Sequence, residues 1–196
     1  MPNQKSIEYF HANNVSERIK SLLKPVENFA DSFGLQPFRI IISSNNNHDI
    51  SNARHNNNKA FPESWILIFV VRNQITRLDI DDFIEDIREN KKYSAASLSR
   101  YRRTFEESIN KKNDSGDNWA ERQARSGVAI LLASARQRNV HVQVDEITEP
   151  SLFDDVLPNS NKEYTSKISV QLTWDKKETL SKKNSDRNTA VIEHHI

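Results

Sequence analysis

The run Trp65-Ile66-Leu67-Ile68-Phe69-Val70-Val71 constrains this chain most. It is continuously apolar, the pattern of a β-strand covered on both faces. Such a strand needs neighbours beside it and cover above and below. Phe38 to Ser43 reads as one neighbour. Val140-His141-Val142-Gln143-Val144 alternates as a second, and Lys167 to Trp174 as a half-buried third. Helical spacing of apolar residues fills the intervals, over Val15–Leu23, Asp79–Glu89, Ser94–Lys111 and Trp119–Arg138, with a short helix over Pro150–Leu157. Four strands interleaved with helices predict a sheet covered by helices on both faces.

Local signals refine the outline. Asn13 or Asn14 is the expected N-cap of the first helix. Pro25 is expected to kink that helix or divide it from Val26-Glu27-Asn28-Phe29-Ala30. A short polar helix is expected from Ile50 to Arg54. Asn45-Asn46-Asn47-His48-Asp49 and Asn113-Asp114-Ser115-Gly116-Asp117 are breaks. Gly127 and nearby alanines give the Trp119–Arg138 helix a small-residue face, expected to pack closely on another helix or a symmetry mate. From Asp175 the chain turns polar, and Ala190-Val191-Ile192 is an apolar patch better placed on a partner than in water.

Composition narrows the function. The chain has 196 residues, of which 36% are hydrophobic and 28% charged. One domain is the natural expectation at this length. A net charge of +1 gives no electrostatic case for nucleic acid or an anionic membrane. The absence of cysteine rules out disulfides, thiol nucleophiles and thiolate metal sites. No apolar run reaches membrane-spanning length and no signal-peptide core is visible, so a cytoplasmic location is the default. Neither a GxxxxGK nor a GxGxxG turn is present. His194-His195 lacks further metal ligands, so no metal site is expected, and no serine triad can be argued. Arg100-Tyr101-Arg102-Arg103 could be a nucleic-acid patch, but Glu106 and Glu107 beside it favour a solvated helix face.

Ser32-Phe33-Gly34-Leu35-Gln36-Pro37 joins the first helix to the first predicted strand. Gly34 permits positive φ or the close approach of a ligand, and Pro37 fixes the start of the strand. Such a junction suits a flat or anionic ligand held by backbone groups. Read from its pattern alone, it could equally be a plain helix–strand turn. Likewise Asn56 and Lys59 could lie in a solvated loop, Trp119 in the core, and Glu146 at a solvated strand end.

Five segments, in order, resemble the FMN-dependent nitroreductase family. Ala30-Asp31-Ser32-Phe33-Gly34-Leu35-Gln36-Pro37-Phe38-Arg39 resembles its "APSSFGLQPW+" signature. Asn56-Asn57-Asn58-Lys59 resembles its Asn-x-x-Lys element. Trp119-Ala120-Glu121-Arg122-Gln123-Ala124 is close to its "WAARQAY" helix. Asp145-Glu146 with Pro150 to Leu157 follows "EGFDPxxLDEIL", and Tyr164 to Val170 follows "YTSxVVV". The resemblance implies an α+β fold, a nitroreductase-like three-layer α/β/α sandwich with a central mixed sheet of four to five strands flanked by helices, and a homodimer with swapped terminal segments. It implies a single domain over 1–196, with its core at about 14–174 and residues 175–196 wrapping the partner subunit. It further implies FMN, reduced by NAD(P)H in ping-pong hydride transfer to a nitroaromatic, quinone or similar small-molecule acceptor.

By the same resemblance, Ser32 and Gly34 would touch the flavin from one subunit. Asn56 and Lys59 would hydrogen-bond the ring edge from the other, and the backbone at Glu146-Ile147 would lie against N5. A cation at the pyrimidine end suits the charge that hydride addition leaves near N1 and O2. Lys5 and Ser6 would stand in for the family's Arg-x-Ser/Thr-x-Lys/Arg phosphate grip, and Lys183 and Arg187, with Lys182, for its C-terminal Lys-x-Arg. The chain departs from the family at Ala30 and Asp31, which replace a proline and a serine, at Ile147, which replaces a glycine, and at Thr173, where another glycine is lost. These departures motivate an alternative: a degenerate nitroreductase-fold protein with weakened or lost FMN binding, acting as a non-catalytic binding or regulatory module.

Overall fold

The apolar run occupies the middle strand of a five-stranded sheet. A computed structural model describes residues 7–9, 15–31, 35–44, 64–91, 93–110, 119–155 and 163–174. Its strands are β1 (Ile7–Tyr9), β2 (Phe38–Ser44), β3 (Ser64–Arg72), β4 (Val140–Glu146) and β5 (Tyr164–Trp174), in the order β1-β2-β3-β5-β4. The sheet is mixed, as expected: β1 runs parallel to β2, and the other pairs are antiparallel. β1 was not foreseen. Its three residues align with Ile40–Ile42, and that pairing, not local pattern, makes them a strand.

Alternation along β3 serves two cores. Leu67, Phe69 and Val71 face a large cluster with Phe38, Ile40, Val170 and Leu172, closed by α1 (Glu17–Asp31) and, further along the chain, by the helix Trp119–Arg136. Ile66, Ile68 and Val70 face a smaller cluster with Ile41 and Phe153. Burying each such side chain contributes about 2 kcal/mol. The intervening helices are α2 (Arg77–Lys91) and α3 (Ala95–Asn110), so Trp119–Arg136 is α4, and Ser151–Asp154 is α5. Among the described residues the layers are unequal: two long helices lie on the first face, and the four-residue α5 lies on the second.

α1 continues through Pro25 instead of dividing there. An interior proline costs about 3 kcal/mol, but Ile19, Leu22, Leu23, Val26 and Ala30 are all buried on one side. The first helical carbonyl is that of Ser16, which accepts from the amides of Ile19 and Lys20. The cap therefore falls on Ser16, not on Asn13 or Asn14. Ser94 caps α3 through Oγ, which accepts from the Ser97 amide at 3.2 Å. Phe83, Tyr101, Phe105 and Trp119 form a continuous aromatic ladder linking α2, α3 and α4, ending in an edge-on Phe105–Trp119 contact. Trp119 is thus a core residue. Arg102 pairs with Asp81 and Glu106, and Arg103 with Glu107.

The close neighbour of Gly127 is neither another helix nor a second copy. A Cβ at this position would lie 2.8 Å from Phe38 Cζ. The small-residue face of α4 thus seats β2 of the same chain, and it no longer argues for a dimer. The short helix expected over Pro150–Leu157 spans Ser151–Asp154, with Pro150 at its cap position. The helix expected from Ile50 to Arg54 and the tail containing Val191-Ile192 lie outside the described residues.

A β-bulge interrupts β5. Phe69 pairs with Ile168 and Val70 with Ser166, leaving Lys167 as the extra residue. Ile168, Val170, Leu172 and Trp174 face the large core. Beyond the bulge, Tyr164 packs on the second cluster.

Candidate functional site

The described end of the helix–strand turn is built from backbone carbonyls held by side chains of β3 and β5. Gln36 adopts φ 44°, in the left-handed region, which costs a non-glycine residue about 1–2 kcal/mol. Its carbonyl accepts from Tyr164 Oη at 3.2 Å. The Leu35 carbonyl accepts from Arg72 Nη1 at 3.2 Å, and the Pro37 carbonyl from the Arg72 amide at 2.9 Å. Arg72 Nη2 in turn donates to Asp79 Oδ1 at 2.7 Å. Asp79 closes a capping box with Thr76: its Oδ2 accepts from the Thr76 amide at 2.8 Å and from Thr76 Oγ1 at 2.7 Å. Burial alone would raise the Asp79 carboxyl pKa. The Thr76 hydrogen bonds and the Arg72 charge outweigh burial and hold it below its ordinary value. Arg39 lies over the Tyr164 ring, 4.3 Å from its centroid. The turn is thus fixed from three sides at its Leu35–Pro37 end.

At its other end the turn leaves α1 directly, because Asp31 is the last helical residue. A helix C-terminus carries partial negative charge, which disfavours an anion there.

The same end of the sheet carries the end of β4. In an antiparallel ladder, alternate amides of an edge strand point into the sheet and out of it. The Ile147 amide donates inward to the Lys167 carbonyl at 2.8 Å. The Glu146 amide is therefore turned outward, along the edge where no strand lies among the described residues. Of the two backbone groups expected near a flavin N5, Ile147 is used inside the sheet and Glu146 is offered. The Ile147 side chain packs on the cluster containing Ile41 and Phe153, so the β-branched residue is accommodated by the second core.

The Glu146 carboxylate meets α4. Arg125 Nη1 donates to Glu146 Oε1 at 2.5 Å, while Nη2 donates to Glu121 Oε1 at 3.0 Å. The hydrogen bond from Arg125, then its charge, hold the Glu146 carboxyl below its ordinary pKa, and the Arg125 guanidinium is raised in return. Below the strand, Asp154 Oδ1 accepts from the amide of Ser166 at 2.9 Å and from its hydroxyl at 2.5 Å, tying α5 to the start of β5.

Of the site residues predicted from sequence, Glu146 alone falls among the described residues. Ser32, Gly34, Asn56, Lys59, Lys5, Ser6, Lys183 and Arg187 lie outside them. The structure adds Arg125, Arg72, Asp79 and Tyr164 around the expected site. Two of these had a local signal: Thr76-x-x-Asp79 is a capping-box spacing, and Glu121 and Arg125 stand at i and i+4 on one helix face. The contacts of Arg72 and Tyr164 with residues 35 and 36 have none. Among the described residues no His, Cys, Asp or Glu cluster could hold a metal, and no helix is long and apolar enough to cross a membrane.

No protein-family model matches the sequence, and no curated protein matches it. Solved structures do match the fold. The ydfN protein of Bacillus subtilis, assigned as a nitroreductase, superposes with a TM-score of 0.65 at 12% identity, over 85% of this chain and 81% of that one. A nitroreductase family protein of Streptococcus pneumoniae gives 0.58 at 9% identity, over 87% of each chain. A Staphylococcus epidermidis protein assigned as an NAD(P)H:FMN oxidoreductase gives 0.58 at 11%, over 88% and 84%. The chain has the nitroreductase fold, in a form whose sequence has diverged far from these structures.

Proposed function

We propose that the protein is an FMN-dependent NAD(P)H oxidoreductase that passes hydride to a nitroaromatic, quinone or similar small acceptor. The observation that carries this reading is the outward Glu146 amide, at an edge of the nitroreductase-fold sheet where no strand lies among the described residues. An in-plane donor at the end of β4 fits a ring nitrogen of an isoalloxazine edge, and the second core has already taken up the Ile147 side chain that stands in place of glycine. When bound, FMN supplies the two-electron chemistry, and the protein supplies position and electrostatics. In this reading Glu146 orients the ring, Ser32 and Gly34 hold its other side, and Asn56 and Lys59 meet its pyrimidine edge. Lys59 there favours the charge of the reduced form. Lys5, Ser6, Lys183 and Arg187 hold the phosphate. A homodimer builds the cleft from two chains, with residues 175–196 reaching the partner.

The test is a visible spectrum of the purified protein, followed by FMN titration and NADH- or NADPH-dependent bleaching. A flavin spectrum, bleaching and turnover with a quinone or nitroaromatic are expected. Colourless protein without affinity for FMN overturns the reading. It would support the alternative, a nitroreductase-fold binding module without catalysis, which the altered phosphate-end residues and Asp31 favour.

A further inference from the structure

Resting on the flavin reading above, we propose that Arg125 is a positioning residue. It braces the end of β4, so that the outward Glu146 amide keeps a fixed place for the flavin ring. Among the described residues β4 is an edge strand, paired only with β5. Strand ends of this kind open readily, yet this one must present a single amide to a ligand.

Two attachments hold it. On the inner side the Ile147 amide reaches the Lys167 carbonyl at 2.8 Å. On the helix side the Glu146 carboxylate reaches Arg125 at 2.5 Å. The second Arg125 nitrogen is occupied by Glu121, one helical turn earlier and 3.0 Å away. A planar guanidinium bound at two nitrogens has a defined direction, which a lysine ammonium lacks. Glu121 is mostly buried, with 15% of its side chain exposed, so the brace is anchored at its helical end. α4 is itself seated on the sheet, with Ala124, Gly127 and Val128 buried and Gly127 against Phe38. The path from β2 through α4 to Glu146 is therefore continuous.

The sequence treats this brace as a unit. Where the "WAARQAY" pattern has its second alanine and its tyrosine, this chain has Glu121 and Arg125. The guanidinium and the carboxylate that steadies it are both absent from that pattern, and both stand on the face turned to Glu146.

The experiment compares wild type with R125Q, R125K, E146Q and the R125Q/E146Q double variant. FMN affinity is read by quenching of flavin fluorescence, and backbone exchange by deuterium uptake of the peptide spanning 145–148 in FMN-free protein. R125Q should weaken FMN binding about threefold to fivefold, the range of a partly exposed ion pair. It should raise exchange at 145–148 while leaving the α4 core peptides unchanged. R125K should recover part of both effects. The double variant should bind FMN no worse than either single one, because the two substitutions remove one shared interaction. A simple packing role would shift the melting temperature without this pattern. FMN affinity unchanged in R125Q, or additive losses in the double variant, overturns the proposal. Wild type that takes up no FMN overturns the flavin reading and the proposal together. That outcome is distinct from failure of the brace alone, in which wild type and R125Q bind FMN equally.

Discussion

Gly127→Ala isolates the contact that sets the distance between α4 and the sheet. The added methyl would lie 2.8 Å from Phe38 Cζ and 3.2 Å from Cε2, where ordinary contact begins at 3.4 Å. A ring can often swing aside from such a clash, but this one is confined. Phe38 is fully buried, with the Phe29 and Phe69 rings centred 6.4 and 5.8 Å away. Helix and strand must therefore separate by about 0.6 Å, and overpacking of this kind costs about 1–3 kcal/mol. Alanine returns about 1 kcal/mol through its better helix propensity. The net expectation is a loss of about 1 kcal/mol, within a range of about 0–2, which lowers the melting temperature by a few degrees in a domain of this size. Urea denaturation of wild type, G127A, F38L and G127A/F38L measures it. The smaller leucine should make the alanine cheaper, so the double variant should be more stable than the sum of single losses predicts. An unfolding midpoint of G127A at or above that of wild type would refute the reasoning, because helix propensity would then outweigh the clash.

Pro25→Ala should stabilise the protein by about 2 kcal/mol: the position is exposed and lies inside α1, so a missing hydrogen bond is restored without loss of packing. A higher urea midpoint checks it. Asp79→Asn should cost about 3 kcal/mol, because it leaves Arg72, whose side chain is 14% exposed, without its charge partner. The same pair predicts a pH dependence. The folded-state pKa of Asp79 lies below its ordinary 3.8, so its stabilisation is complete well above that value and is lost as pH falls through the folded pKa. Urea midpoints between about pH 5 and 3 should fall more steeply in wild type than in D79N; parallel slopes would contradict this.

The elements with strong periodicity were legible in the sequence. The Trp65–Val71 run demanded cover on both faces, and β3 has it. The fold the five segments implied is the fold observed. What escaped the sequence was set by distant pairing. Ile7–Tyr9 is a strand only because Ile40–Ile42 lie beside it. Pro25 is tolerated only because the apolar residues around it are buried, which spacing alone does not weigh. Gly127 was read correctly as a close contact, but its neighbour came from a strand, and a helix pattern cannot name its partner. Arg125 and Glu146 stand 21 positions apart, and their meeting depends on how α4 lies across β4. At the candidate site Glu146 was found from a resemblance. The choice between its amide and that of Ile147 came from the ladder, whose phase no motif records.

Lys167, the extra residue of β5, carries a consequence for how such a chain can change. Ser166 and Ile168 have the same parity, yet one meets Asp154 on the second face and the other fills the large core. A strand normally assigns each parity to one face. Here a single inserted residue lets one strand address two compartments, and its carbonyl is also the group that receives the Ile147 amide. Removing that residue would place Ser166 directly before Ile168 and restore regular alternation, with Ser166 still opposite Val70 and its carbonyl next in line for the Ile147 amide. The bulge is thus what places Ser166 and Ile168, two positions apart, on opposite faces of one sheet.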